Sequence, residues 1–251
     1  MSEELSLGEP MRQKKTKRSR KQDRRRKSSN LFVAFFVDLV VVIGAALILS
    51  LLIKTFLIRS FFIPTGSMLE TLQIDDRIIV NQLTPALYPI ERGDVVVFKD
   101  PGGWLGPDIT EPTDPIVVSV DWFLSAFGIT APDSKQHLVK RVIGTAGDKI
   151  VCCDADGKIT VNGVPITEPY ISSGQAPSAI EFDVEVPSGS LWVMGDNRGN
   201  SEDSRYHGDL PSKGFVSTEW VVGRAILISW PFENWTWLDN YPDVFKNIPK
   251  P

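Results

Sequence analysis

At 251 residues, the chain can bury one substantial core or two modest ones, with a segment to spare. Its formal charge of −4 conceals an asymmetry: residues 1–30 carry eleven Lys/Arg against four acids, and the remainder sixteen against twenty-seven. Such a basic run would suit phosphate contacts, but a long apolar stretch follows at once. That order excludes a nucleic-acid arm and favours a topological signal instead.

Low hydrophobicity and high charge predict a disordered basic tail over residues 1–30. Leu31–Ile53 then runs for 23 residues, interrupted by Asp38 and Ser50 as its clearly polar positions. At the helical rise this spans about 35 Å, enough for a hydrocarbon core of about 30 Å. The exit, Lys54 to Arg59, lacks the small-residue cleavage site of a removable leader, so residues 31–58 read as a retained transmembrane anchor. The charge bias puts the N-terminus in the cytoplasm and everything after about residue 55 outside the plasma membrane. Asp38 lies near the cytoplasmic end, within reach of water and basic neighbours.

Beyond the anchor the pattern turns β-like. Arg77–Val80, Asp94–Phe98, His137–Ile143, Lys149–Cys153, Ile159–Val161, Ala179–Val186, Leu191–Met194 and Trp220–Ser229 are short runs punctuated by Gly, Pro, Asn and Asp. Asn162-Gly163 marks a hairpin. Residues 59–251 are therefore expected to form a mainly β domain of antiparallel strands, barrel-like or sandwich-like, with a smaller β subdomain over 152–190. Residues 101–135 form an irregular insertion. Its apolar patch over 117–129, with Trp122, Phe123 and Phe127, either dips into the outer lipid surface or covers the core. The tryptophans 230, 235 and 237 carry the same two readings.

Cys152 and Cys153 are adjacent in a strand-like run. Neighbouring strand residues point to opposite faces, so free thiols are expected, with a vicinal or an intermolecular disulfide as the alternatives. The two cysteines with His137 and His207 lack any usual metal-ligand spacing, so no metal and no cofactor are expected.

Chemistry concentrates first in Ile63-Pro64-Thr65-Gly66-Ser67-Met68-Leu69-Glu70-Thr71-Leu72. Pro64 stiffens the backbone, and Gly66 leaves it bare beside a serine. A serine hydroxyl needs a base. His137 and His207 are not excluded, but Lys140 is the better candidate. In a strand it shares its face with Leu138 and Val142, as a lysine entering an apolar site would, and burial lowers an amine's pKa towards neutrality. The third stretch, Met194 to Arg205, holds turn-forming residues with acids and arginines able to form a rigid paired network.

These stretches resemble the bacterial type I signal peptidases. The family's S-M-x-x-T-L box appears as Ser67 to Leu72, its G-D-V-V-x-F strand as Gly93 to Phe98, its K-R-x-x-G-x-x-G-D box as Lys140 to Asp148, and its G-D-N-R-x-x-S-x-D-S-R box as Gly195 to Arg205. The resemblance covers roughly residues 31–230. It implies that Ser67 is the nucleophile and Lys140 the general base, with Ser201 hydrogen-bonding and orienting the lysine. It also implies an oxyanion hole from the Ser67 N–H and the Thr65 hydroxyl, where many relatives have serine. Arg141 with Asp196, and Asp203 with Arg205, would be structural ion pairs. Ile63, Met68, Leu72 and Val139 would line shallow apolar pockets, although core packing explains the same four. Glu70 stands where the family usually has proline. The implied activity is removal of leaders from exported preproteins through an acyl-enzyme. Ser67 follows the anchor closely enough for extended chain to reach at most about 35–50 Å, which keeps the site beside the bilayer. Two rivals are a self-cleaving repressor-type Ser-Lys protease, which lacks an anchor, and an inactive membrane-tethered binding protein.

Overall fold

The computed structural model describes residues 17–105 and 136–251. The chain divides into two units, Met1–Ser50 and Leu51–Pro251. Helix α1 runs over Lys17–Phe56, and Val33–Ile53 within it, with a mean hydropathy of 2.8, is long and apolar enough to cross a membrane. The helix begins at Lys17, inside the stretch expected to be disordered. Lys, Arg and Gln are good helix formers, and an established apolar helix is extended one residue at a time without a new nucleus. It also stops at Phe56, short of residue 58, because Ile58–Phe62 forms strand β1.

The second unit is antiparallel in every strand pairing. One sheet has the order β1-β2-β11-β3-β4-β9-β10, with β12 on β11. Its strands are β1, β2 (Arg77–Asn81), β3 (Val95–Lys99), β4 (His137–Gly144), β9 (Ser190–Met194), β10 (Val216–Ser217), β11 (Val221–Trp230) and β12 (Thr236–Trp237). A four-stranded sheet, β7-β6-β5-β8, is built from Lys149–Cys152, Ile159–Val161, Val164–Pro165 and Phe182–Glu185 as β5 to β8. The expected hairpin joins β6 to β7: Asn162 and Gly163 both take positive φ, 50° and 79°, as a two-residue primed turn requires. The short helix α2, Pro242–Phe245, follows β12.

Period-two burial explains β3. Val95 and Val97 pack with Phe61, Ile63, Met68, Leu72, Ile78, Val80, Ala225 and Ile228. Val96 and Phe98 pack on the opposite face with Trp104, Val142, Leu191 and Val193. A strand covered on both faces must be apolar throughout, which is why this one reads as an unbroken run. A third cluster joins the smaller sheet to β4 and β9 through Ile143, Ile150, Ile159, Trp192 and Met194.

Cys152 and Cys153 are joined in a vicinal disulfide, which corrects the expectation of free thiols. The alternation argument assumes that the strand continues through both residues, whereas β5 ends at Cys152. Within the insertion, residues 106–135, and with them the apolar patch over 117–129, lie outside the described residues.

Candidate active site

Ser67 follows a segment tied to the domain at Ile63, which donates its N–H to Asp76 O and accepts from Asp75 N, each at 2.9 Å. Beyond Ser67 the chain turns tightly, with Leu69 N–H donating to Gly66 O and the N–H groups of Thr71 and Leu72 to Met68 O. The turn buries Met68 and Leu72, which join Ile63 and Val139 in one apolar cluster beneath it. Thr65 is exposed on the approach to Ser67.

β4 carries Lys140 to this turn. Its neighbours alternate as the period predicts: Leu138 and Val142 pack on one side of the sheet and Val139 on the other. The Lys140 side chain is buried, and its Nζ lies 2.8 Å from Ser67 Oγ. Burial is the main reason its pKa falls from 10.5 to about 8. Arg205 pushes the same way, while Asp203, Asp196 and Glu202 oppose it. The amine is thus near the balance point between donor and acceptor at neutral pH. Neither histidine substitutes for it. His207 is stacked on Trp104 with its ring centroid 4.3 Å away, and its Nδ1 lies 2.8 Å from Asp203 O. His137 packs against Phe61, and burial beside Arg59 and Lys99 lowers its pKa to about 4.

The loop after β9 closes over both residues. Gly195 is required by close approach: a Cβ there would sit 2.2 Å from Ser201 Oγ and 2.4 Å from Ser67 O. Ser201 is therefore brought into the site, but its buried hydroxyl makes no hydrogen bond. The expected Ser201–Lys140 bond is not formed in this arrangement, in which the lysine amine is directed at Ser67.

Two bidentate pairs hold the loop. Asp196 accepts from Arg141 Nε and Nη2 at 2.9 and 2.7 Å. Asp203 accepts from Arg205 Nε and Nη2, both at 2.8 Å, and from Gly195 N at 2.9 Å. Asp196 also accepts from Thr71 Oγ1, so the threonine of the first box ties the Ser67 turn to the loop. Pairs with the remaining donors and acceptors satisfied are the form in which buried charge is tolerated.

Three features were missed in the sequence. Arg198, fully buried, pairs with Glu168, which also accepts from Tyr170 Oη. The Tyr170 ring lies 4.2 Å from the Arg141 guanidinium carbon. Nothing in the sequence pointed to Glu168, because Glu202, four residues after Arg198, offers a nearer acid that the fold does not use. The second feature is Asn197, which bonds the Gly66–Ser67 backbone and likewise left no trace. The third is the setting of Glu70, whose backbone adopts φ +87° and whose carboxylate accepts from Ser172 Oγ at 2.7 Å. Proline is locked near −65°, so the turn as built here excludes the residue usual in the family.

The sequence profile of one family, "Signal peptidase, peptidase S26", matches residues 36–230. Among similar proteins, a "Probable signal peptidase I" of Mycobacterium leprae is 38% identical over 209 residues, covering 72% of this chain and 71% of that protein. A "Signal peptidase I" of Mycobacterium tuberculosis is 39% identical over 210 residues, with 76% and 71% covered. A "Signal peptidase I" of Leptolyngbya laminosa is 33% identical over 190 residues, with 75% and 77% covered.

The burial of Lys140 and of the Arg198–Glu168 pair each generate a prediction. The fall of Lys140 from 10.5 to about 8 corresponds to about 3 kcal/mol of folding free energy. Its folded value lies below the unfolded one, so the penalty is complete below pH 8 and is relieved as pH rises towards 10.5. Lys140→Met should therefore unfold several degrees higher at pH 7, with the gap closing between pH 8 and 10.5. Thermal unfolding at fixed pH measures this, and no gain at pH 7 would contradict it. Glu168→Ala leaves the Arg198 guanidinium buried and unpaired, and should destabilise the domain by about 3–5 kcal/mol, read by urea unfolding.

Proposed function

We propose, for a chain that belongs to the signal peptidase family, peptidase S26, that Ser67 and Lys140 form the nucleophile–base pair of its reaction. Membership makes the protein a membrane-associated peptidase that cleaves signal peptides from preproteins. The observation that carries the finer reading is the 2.8 Å contact between Lys140 Nζ and Ser67 Oγ, with the amine's pKa lowered to about 8.

In this mechanism the neutral amine accepts the Ser67 proton as Oγ attacks the scissile carbonyl carbon. The developing oxyanion is stabilised by the Ser67 N–H and the Thr65 hydroxyl. The tetrahedral species collapses as Lys140 passes the proton to the departing amine, leaving the leader esterified to Ser67. Lys140 then deprotonates a water that releases it. Arg141–Asp196 and Asp203–Arg205 hold the loop, and Ser201 fills the space beside Gly195.

Substrate is held by backbone and by a small apolar contact. β3 pairs with one edge of β4 over His137–Arg141, but β9 joins the other edge only from Arg141 onward. An extended leader segment pairs along Leu138–Lys140 on that second edge, as added strands do. Val139, the partly exposed member of the cluster it forms with the buried Ile63, Met68 and Leu72, offers a small apolar contact that suits the small residues at which leaders end. The basic N-terminal segment stays in the cytoplasm, Val33–Ile53 crosses the plasma membrane, and the β domain works at the outer surface of the lipid bilayer.

Ser67→Ala or Lys140→Ala should abolish preprotein cleavage while leaving expression and membrane insertion intact; residual processing by either variant would refute the pair. Because the amine must be neutral, kcat/KM should rise about tenfold per pH unit below 8 and level off above it, measured on a fluorogenic leader peptide. Thr65→Val should slow turnover by about 10²–10³-fold, the worth of one oxyanion donor, without lowering the unfolding temperature. Parental turnover would remove Thr65 from the oxyanion hole.

A further inference from the structure

Asn197 makes two contacts to the nucleophile segment from across the site. Its side-chain Nδ2 donates to Gly66 O at 2.9 Å, and its backbone N–H donates to Ser67 O at 3.1 Å. The side chain is itself oriented: Asn197 Oδ1 accepts from Gln175 Nε2 at 3.3 Å, and Gln175 Oε1 accepts from Arg198 N at 3.1 Å. Gln175 belongs to the connection between β7 and β8 that also supplies Glu168 and Tyr170.

The Gly66 carbonyl and the Ser67 N–H are two ends of one peptide group. That group is planar and trans, so its C=O and N–H point in opposite directions. Fixing the oxygen fixes the direction of the N–H. Glycine at 66 would otherwise leave this plane the freedom of a residue without Cβ. Gly66 O also accepts from Leu69 N at 3.2 Å, so both of its lone pairs are engaged. Donation into a carbonyl also polarises the amide and strengthens its N–H as a donor.

We infer that Asn197 is a positioning residue for the oxyanion hole, aiming and polarising the Ser67 N–H through the Gly66–Ser67 peptide plane. The inference rests on the Ser67–Lys140 reading above. Asn197 touches neither the scissile bond nor the transferred proton. Its effect is confined to the state in which negative charge has formed on the substrate oxygen, so it lowers the barrier without changing ground-state binding.

The test uses the full chain in detergent micelles. Asn197→Asp keeps the shape but replaces the donor with an acceptor. Its kcat should fall about 10–100-fold, part of the full value of an oxyanion donor, while KM stays within about twofold. Affinity for a leader peptide ending in a boronic acid, which forms a tetrahedral adduct on Ser67, should fall by the same factor as kcat. Asn197→Ala, assayed on the folded fraction, should show the same split, and serves alone if the aspartate variant does not fold. A merely structural role would weaken KM and kcat together and leave boronate affinity tracking KM. That pattern, or parental kcat, overturns the inference. Ser67→Ala run in parallel separates the two readings: if it is inactive while Asn197→Asp is unimpaired, only the Asn197 role fails. If Ser67→Ala still cleaves, the underlying pair fails and the Asn197 role falls with it.

Discussion

Lys140 is held out of water against Ser67, and much of the surrounding structure follows from the cost of doing so. A buried ammonium is expensive, and the apolar residues Leu138 and Val142 on the same face of the strand add to that cost, which favours the neutral amine. The carboxylates of Asp196 and Asp203 oppose the shift, but each is already committed to an arginine in a bidentate pair. Both still act on the amine more strongly than Arg205 does, and it is burial that outweighs them.

The same ion pairs solve a mechanical problem. The Ser67 turn, β4 and the loop after β9 come from three distant parts of the chain, and each could shift independently. Asp196 joins all three, through Arg141 on β4 and Thr71 on the turn. A second tier backs the first: Arg198 with Glu168, and Tyr170 against Arg141, brace the loop from the connection between β7 and β8 of the smaller sheet. The smaller sheet thus contributes to the active site without supplying a reacting group, and Asn197 sits where this bracing meets the serine.

How much of this was legible in the sequence depends on range. Local rules worked: β3 as an apolar run, the Asn162-Gly163 turn, and the alternation that sets Lys140 beside Leu138 and Val142 are set by neighbours a few residues apart. The four boxes singled out Ser67, Lys140 and the two arginine–aspartate pairs, and the fold brings Lys140 to Ser67 and forms both pairs. What escaped was mostly contact between segments far apart. Glu168 and Tyr170 sit in a connection that reads as an ordinary polar loop, and the bond from Asn197 to Gly66 spans 131 residues. Strand β1 was not among the expected strands because Arg59 and Ser60 interrupt its apolar residues, and Ile58 reads as the end of the anchor. The Cys152–Cys153 bridge was missed because strand alternation was applied one residue past the strand's end.

Site-resolved titration of Lys140 is the most direct measurement of the central claim. In protein carrying 13C-labelled lysine, assigned by comparison with Lys140→Met, the Cε resonance of Lys140 should titrate with a midpoint near pH 8, well below the other lysines. A midpoint at the ordinary value of about 10.4 would mean that the amine stays protonated when Ser67 must lose its proton, and would contradict the account.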